Sequence, residues 1–259
     1  MSNLKLENIS KYYSKPAGAK QNVLEDINLS IETSEKGGGF VSILASFESG
    51  KTTLLKIISA IVKSDRGRVL LQNEVYDKAT GKIVFIPEKP SSFPWLNVEQ
   101  NIIFTTDINT DKLKELINTV GLTGYENHHP HNESLGFRFR ISLARALAVN
   151  PVFILLDDPF RRMNSETKDE IYELVRTVRV KLNVNFILAT TNVSEAIYLS
   201  DKIFLMKKNP GKIIEEIKLD ADTLKSKGLN RQDRFVSLRN EIEKTFQAAG
   251  EMSQTEIRI

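Results

Sequence analysis

One stretch of the chain, FVSILASFESGKTT at residues 40–53, constrains the fold more than any other. It begins with apolar residues broken by a single serine, which predict a buried strand. A loop follows, and Gly50, Lys51, Thr52 and Thr53 then open an apolar helical run. Strand, loop and helix in this order are the context of a phosphate-binding loop. In such a loop, backbone N–H groups and the positive helix end attract phosphate, Lys51 supplies a positive charge and the Thr52 hydroxyl can ligate Mg²⁺.

The loop departs from the full phosphate-binding pattern at two positions. Ala45 stands where the pattern has its first glycine, and Glu48 stands where many such loops have a further glycine. An L-residue in a left-handed conformation costs about 1–2 kcal/mol. A carboxylate about 5 Å from a phosphate adds a repulsion of about 3 kcal/mol at an effective dielectric constant of about 20. We therefore expect a weakened nucleotide site, formed by Ser46, Phe47, Glu48, Ser49, Gly50, Lys51, Thr52 and Thr53.

Length and composition are those of an ordinary soluble protein. With 259 residues the chain can form one large domain or two smaller ones. A net charge of +3 favours neither nucleic acid nor an anionic membrane surface as a partner. Because the chain has no cysteine, disulfides and thiolate metal sites are excluded. Since no apolar run approaches ~18 residues, we expect no membrane insertion and a membrane role only through a partner.

Short apolar segments alternate with amphipathic ones, a pattern typical of an α/β fold. Alternating residues at 4–9 and 24–31 predict antiparallel strands. Further strands are expected at 68–71, 82–86, 152–156, 186–189, 203–206 and 212–219. Helices are expected at 98–104, at 111–120 with Thr110 as its cap, after Glu133, around 171–182 and at 235–246. The helical stretch from about 87 to 150 predicts an inserted subdomain.

A second motif ends in two carboxylates. The apolar residues 152–156 are followed by Asp157 and Asp158. A strand lying beside the phosphate-loop strand would deliver Asp157 to a Mg²⁺ ion that Thr52 also ligates, and Asp158 would face the attacking water. Alternatively, both aspartates only cap the turn before Pro159. The presence of Gly50, Lys51 and Thr52 in the same chain favours the metal site of Thr52 and Asp157.

Five further motifs resemble those of one protein family. They are SKYY at 10–13, FPWLNV at 93–98, ESLG at 133–136, LARAL at 143–147 and NPGKI at 209–213. Over nearly its whole length the chain resembles a nucleotide-binding subunit of an ABC transporter, most of all the importers of nitrate, sulfonate and taurine. The resemblance implies a P-loop NTPase fold of the ABC type, with a mixed sheet core, an antiparallel β subdomain and the inserted helical subdomain. It divides the chain into a nucleotide-binding domain at 1–228 and a C-terminal helical tail at 229–259.

The same resemblance implies ligands and partners. ATP and Mg²⁺ would be the cofactors, with adenine stacked on Tyr13 (or on Tyr12) and phosphate contacted by Ser134 and Gly136. The subunit would work as a homodimer or heterodimer, peripheral on the cytoplasmic face of the cell membrane. Its FPWLNV segment would lie next to the integral-membrane permease subunits.

The catalytic positions implied by the resemblance are substituted. Glu88 stands where the family has a glutamine that senses Mg²⁺ and water, Asp158 where it has the catalytic glutamate, and Thr191 where it has the switch histidine. The aspartate side chain is shorter by about 1.5 Å, and a misplacement of about 1 Å can cost ~100-fold in rate. The ESLG motif at 133–136 stands where the family has its signature, and Leu135 departs from it. Asn164 replaces the aspartate of the family's loop that crosses the dimer interface. We expect hydrolysis to be weak or lost.

Other functional interpretations of the sequence stay open or are set aside. The chain is either the ATP-binding subunit of an importer with slow turnover or a pseudo-ATPase that serves as a scaffold or regulatory subunit. A phosphate-loop kinase would leave residues 130–147 unexplained. His131 matches a family position, which argues against a metal cluster of the three histidines. We interpret the arginines as solvated surface or subunit contacts and not as a nucleic-acid site: Arg138, Arg140, Arg145, Arg161 and Arg162.

Overall fold

The structure is a computed structural model that describes residues 3–14, 20–32, 37–76, 80–89, 91–131, 133–219 and 229–249, the last range by its backbone alone before Phe235. Two compact units divide the chain. The first comprises residues 1–35, 39–77 and 187–259, and the second comprises residues 36–38 and 78–186.

Apart from strand β5 and helix α6, which the sequence did not predict, the strands and helices follow one another as the alternating pattern predicts. The strands are β1 (Asn3–Ser14), β2 (Lys20–Glu32), β3 (Phe40–Leu44), β4 (Arg66–Leu71), β5 (Glu74–Val75), β6 (Ile83–Ile86), β7 (Phe153–Asp157), β8 (Asn185–Thr190), β9 (Lys202–Lys207) and β10 (Lys212–Lys218). The helices are α1 (Lys51–Ile58), α2 (Val98–Ile103), α3 (Thr110–Thr119), α4 (Leu135–Ala148), α5 (Ser165–Leu182), α6 (Val193–Leu199) and α7 (Leu229–Ala248).

The first unit contains an antiparallel sheet with the strand order β2, β1, β4, β5. In β1, Leu6 pairs with Leu29 of β2 and with Val69 of β4. All three side chains are buried, which places the apolar positions of the alternating pattern on one covered face. The antiparallel strands predicted at residues 4–9 and 24–31 are thus confirmed and are longer than their apolar cores.

The same unit contains a second group of strands, in the order β10, β9, β3, β8. Residues Phe40–Leu44 of β3 are buried throughout, and β3 runs parallel to β9, with Ile43 opposite Phe204. Because β8 and β9 occupy the two edges of β3, the strand that ends at Asp157 is not its direct neighbour. Our expectation that this strand lies beside the phosphate-loop strand was wrong.

Helices α6 and α7 complete the core of the first unit. Leu44 at the end of β3 packs in one apolar cluster with Ile197 of α6 and with Ile242 and Phe246 of α7. The predicted apolar face at residues 235–246 is therefore used within the unit. Helix α6 was not predicted from the sequence.

The second unit pairs β6 with β7 in parallel, with Val84 opposite Ile154. Helix α3 begins one residue earlier than expected, and its cap is not Thr110. The Asn109 side chain accepts the Lys112 N–H instead, at 2.8 Å. Among the described residues we find no helix with the length and apolarity that a bilayer crossing requires.

Candidate functional site

The loop between β3 and α1 folds back around the side chain of Lys51. Its ammonium group donates hydrogen bonds to the carbonyl groups of Ala45 at 2.9 Å and Ser46 at 2.7 Å. Lys51 is 8% exposed and Ser49 is buried. The loop carbonyl groups therefore hold a positive charge at the first residue of α1, where the N–H groups of a helix's first turn also attract anions.

Two backbone conformations shape the loop. Gly50 has a φ of +93°, and a Cβ atom there would lie 2.8 Å from Cδ2 of Leu24, so glycine is required. Glu48 has a φ of +60°, whereas Ala45 does not have a positive φ. The strain that we expected of the two glycine replacements is therefore present at Glu48 alone.

The chemistry of the loop fits a polyphosphate and a divalent cation. The first turn of α1 carries no acidic residue, and Thr52 exposes its side chain directly after the buried Lys51. Thr53 is half-buried, and Phe47 and Glu48 are exposed. Only the Glu48 carboxylate opposes an anionic ligand here. Across the described residues no three His, Asp or Glu side chains group into a metal site of their own.

Tyr13 lies at the end of β1, and 41% of it is exposed. Lys11 Nζ lies 5.4 Å from the centroid of its ring. The neighbouring Tyr12 is half-buried, and its N–H donates to Asp65 Oδ2 at 2.7 Å. Of the two rings, Tyr13 is therefore the more available for stacking on a base.

Thr191 follows directly on a residue that is bound to the phosphate loop. The N–H of Ala45 donates to the Thr190 carbonyl group at 3.2 Å. The Thr190 hydroxyl donates to Glu195 Oε2 at 2.8 Å, and both residues are buried. The contact between Thr190 and Glu195 was not predicted from the sequence.

In the second unit, Glu88 and Asp158 line one cleft of about 250 Å³, together with Lys89, Leu135, Arg138, Pro159 and Arg162. Asp157 and Asp158 are 6% and 9% exposed, and Asp158 has a φ of +47°. The two predicted catalytic carboxylates of this unit thus share a cleft with Leu135, the bulky residue between Ser134 and Gly136.

The Glu88 carboxylate faces two arginines. Its Oε1 atom lies 3.4 Å from Nε of Arg162 and 3.9 Å from Nη1 of Arg161. The same oxygen is buried and accepts no hydrogen bond from the described residues. These arginines offset the charge of Glu88, so our interpretation of them as solvated surface or subunit contacts was incomplete.

Ser134 and Gly136 lie at the start of helix α4, within the predicted signature at 133–136. Ser134 caps the helix by accepting the Phe137 N–H at 3.2 Å. A Cβ atom on Gly136 would lie 2.6 Å from Cγ2 of Thr167 in α5. Packing of α4 on α5 is therefore sufficient to require a glycine at this position.

Comparisons with known proteins agree with this architecture. A family model described as ABC transporter matches residues 24–161. The post-hydrolysis dimer of the ATP-binding cassette MJ0796 bound to ADP and Pi superimposes with a TM-score of 0.69 at 27% identity, covering 84% of this chain and 99% of that one. The cbiO1 cassette of Clostridium perfringens has the same fold, with a TM-score of 0.73 at 22% identity over 94% of this chain and 98% of its own. The chain belongs to the ABC transporter ATP-binding family.

Its similar relatives include import proteins. The aliphatic sulfonates import ATP-binding protein SsuB of a Bacillus cereus strain is 33% identical over 95% of this chain and 96% of the relative. The SsuB 2 protein of Pseudomonas syringae pv. tomato is 35% identical over 81% of this chain and 86% of the relative. The predicted resemblance to the sulfonate importer branch is confirmed.

Proposed function

We propose that the chain is the ATP-binding subunit of an ABC importer whose hydrolysis of ATP is weak or lost. The observation that carries this proposal is a phosphate loop folded around Lys51 in a chain with Asp158 and Thr191 at the catalytic positions. The names of the relatives favour an importer of aliphatic sulfonates.

Nucleotide binding by the chain would rest on residues of the first unit. Lys51 would exchange its bonds to the loop carbonyl groups for bonds to phosphate oxygens, while Tyr13 would offer its exposed ring to adenine. Thr52 would ligate Mg²⁺, which supplies charge neutralisation between phosphate groups when bound. Ser134 and Gly136 of a second subunit would complete the site, which makes the working form a dimer.

Three side chains on which catalysis in the family depends are replaced in this chain. Asp158 would have to orient water with a carboxylate one methylene short, and Thr191 has no imidazole for the terminal phosphate. Glu88, held near Arg161 and Arg162, adds a negative charge where the family has a neutral amide. Each change weakens transition-state stabilisation and leaves the phosphate loop intact.

Coupling to the permease would rest on an aromatic surface, formed by the half-buried Phe93 and the exposed Trp95 and Phe104. Trp95 and Phe104 are 68% and 56% exposed, which is unusual for such large rings. The Phe93 ring centroid lies 5.4 Å from that of Trp95 and 4.6 Å from that of Phe104. This surface would dock on the permease, with the subunit peripheral on the cytoplasmic face of the membrane.

Restoring the three family side chains tests whether their replacement impairs hydrolysis. We expect the triple variant Glu88→Gln, Asp158→Glu, Thr191→His to hydrolyse ATP about 100-fold faster than the wild type in single-turnover assays, since small misplacements cost that much. Lys51→Ala in the same background should remove the gain. Equal rates for the wild type and the triple variant would overturn the proposed impairment.

A second candidate function is a pseudo-ATPase scaffold, favoured by the Glu48 carboxylate and its φ of +60° in the phosphate loop. A scaffold would bind the permease without productive nucleotide chemistry. Thermal unfolding with millimolar Mg-ATP separates the two functions, because a ligand of the folded state raises the midpoint. A midpoint that stays constant would favour the scaffold.

A further inference from the structure

Two arginines of helix α4 hold the segment that carries the aromatic surface. Arg138 and Arg145 lie seven residues apart, about two helical turns, and therefore project from the same face of α4. Both contact the segment formed by Ser91, Ser92 and Phe93. All of these residues belong to the second unit.

Arg145 makes the closer contact. Its Nη2 atom donates to the Ser91 carbonyl group at 2.8 Å and lies 2.5 Å from Ser91 Oγ. Its guanidinium carbon lies 4.9 Å from the centroid of the Phe93 ring. Burial lowers the pKa of Arg145 from its ordinary value. A lysine ammonium group cannot reproduce a guanidinium group that donates to a carbonyl group while it lies over a ring.

Arg138 adds a second point of attachment one residue further along. Its Nε atom donates to Ser92 Oγ at 3.4 Å, and Ser92 is 7% exposed. The opposite side of the segment is fixed by the buried Asn101 of α2, which accepts the Phe93 N–H at 2.7 Å and donates to the Phe93 carbonyl group at 3.1 Å. The loop at Phe93 therefore has little freedom to move independently of α2 and α4.

We propose that Arg138 and Arg145 are positioning residues that make the aromatic surface move with α4, so that a displacement at the Ser134 end of the helix reaches Trp95. The importance of this link for transport rests on the proposed function, in which Ser134 meets nucleotide and Trp95 meets the permease. The link itself is a property of the second unit alone.

The chain contains one tryptophan, so its fluorescence reports on Trp95 alone. We expect Arg145→Lys and Arg145→Ala to raise acrylamide quenching of Trp95 by up to about 1.5-fold, since 68% of the residue is already exposed, and to speed hydrogen exchange at residues 91–96. Arg140→Lys is the matched control, because Arg140 lies on the same helix and binds the Val120 carbonyl group and Glu170 instead. Should Arg145→Ala fail to fold, Arg145→Lys decides.

Transmission is tested without nucleotide by displacing α4. Gly136→Ala forces a shift against Thr167, and we expect it to move the Trp95 emission maximum by several nanometres. The same substitution should move it less than half as far in the Arg145→Lys background. Unchanged quenching in both Arg145 variants, or an equal emission shift in both backgrounds, would overturn the link.

An experiment with nucleotide distinguishes failure of this link from failure of the proposed function. Calorimetry establishes whether the wild type binds Mg-ATP, and fluorescence then follows Trp95 at saturation. Binding without any Trp95 response would overturn the link and leave ATP binding standing. Absence of binding would overturn the proposed ATP-binding function, while the quenching and emission experiments would still decide the link.

Discussion

The hydroxyl group of Thr190 donates a 2.8 Å hydrogen bond to the carboxylate of Glu195, and both residues are at least 97% buried. The backbone of Thr190 also accepts the N–H of Ala45, at the start of the phosphate loop. The buried carboxylate of Glu195 thus fixes Thr190, the residue that is bound to the phosphate loop and directly precedes Thr191. Through Thr190 of β8, the phosphate loop is thus connected to the segment that contains Thr191.

Removing this carboxylate should destabilise the chain. We expect Glu195→Ala to lower the free energy of unfolding by about 1–3 kcal/mol, because the buried Thr190 hydroxyl loses its acceptor. Glu195→Gln keeps an acceptor oxygen and should cost less. Urea denaturation measures both, and a midpoint for Glu195→Ala equal to that of the wild type would contradict the assigned bond.

Glycine at position 48 should improve the phosphate loop in two ways. We expect Glu48→Gly to stabilise the fold by about 1 kcal/mol, because glycine adopts a φ of +60° without strain. Loss of the carboxylate should also tighten ATP binding about tenfold, or ~1.4 kcal/mol, and less so at high salt. Calorimetric titration and thermal unfolding measure the two effects.

Two control variants separate strain from charge. Gln72→Gly relieves a φ of +55° outside the loop and should change stability without changing ATP affinity. Glu48→Gln removes the charge and keeps the backbone conformation, so it should change affinity alone. An affinity for ATP that is the same in Glu48→Gln and the wild type would exclude the proposed repulsion.

Gly136 of helix α4 should tolerate replacement by alanine once the methyl group of Thr167 is removed. We expect Gly136→Ala to cost about 1–3 kcal/mol, because its Cβ would lie 2.6 Å from Cγ2 of Thr167. In a Thr167→Ser background, which lacks that methyl group, alanine should instead stabilise the helix by about 0.5–1 kcal/mol. Thermal denaturation of the four chains measures this coupling. An equal cost in both backgrounds would contradict the packing explanation.

Acid should weaken the anchor of the strand that carries Tyr13. The Tyr12 N–H, and then the Lys11 ammonium group, hold the pKa of Asp65 below its ordinary value of 3.8. The ionised carboxylate therefore stabilises the fold above this pH and loses its effect as the pH falls through the folded-state pKa. We expect Asp65→Ala to be less stable than the wild type at neutral pH, by under about 1 kcal/mol. The difference should vanish in denaturation curves recorded in strong acid. A gap that persists there would contradict this origin.

The sequence alone determined most of the order of elements and the position of the phosphate loop. An apolar run followed by Gly50 and Lys51 leaves few alternatives to strand, loop and helix, because each preference acts between residues close in the chain. The same locality explains the wrong helix cap. Asn109 and Thr110 both have side chains suited to capping, and only the folded backbone shows that Asn109 has the extended conformation of a cap.

Tertiary structure alone decided the partners of long and buried side chains. Arg145 and Ser91 are 54 residues apart in sequence, and no periodicity within α4 indicates that they meet. Three further contacts depend likewise on how segments pack after they form. They are the position of β8 beside β3, the pairing of Glu88 with Arg161 and Arg162, and the bond between Thr190 and Glu195. Local residue preferences set the conformation of each segment, whereas contacts between segments are set by the shared burial of surfaces that no single segment contains.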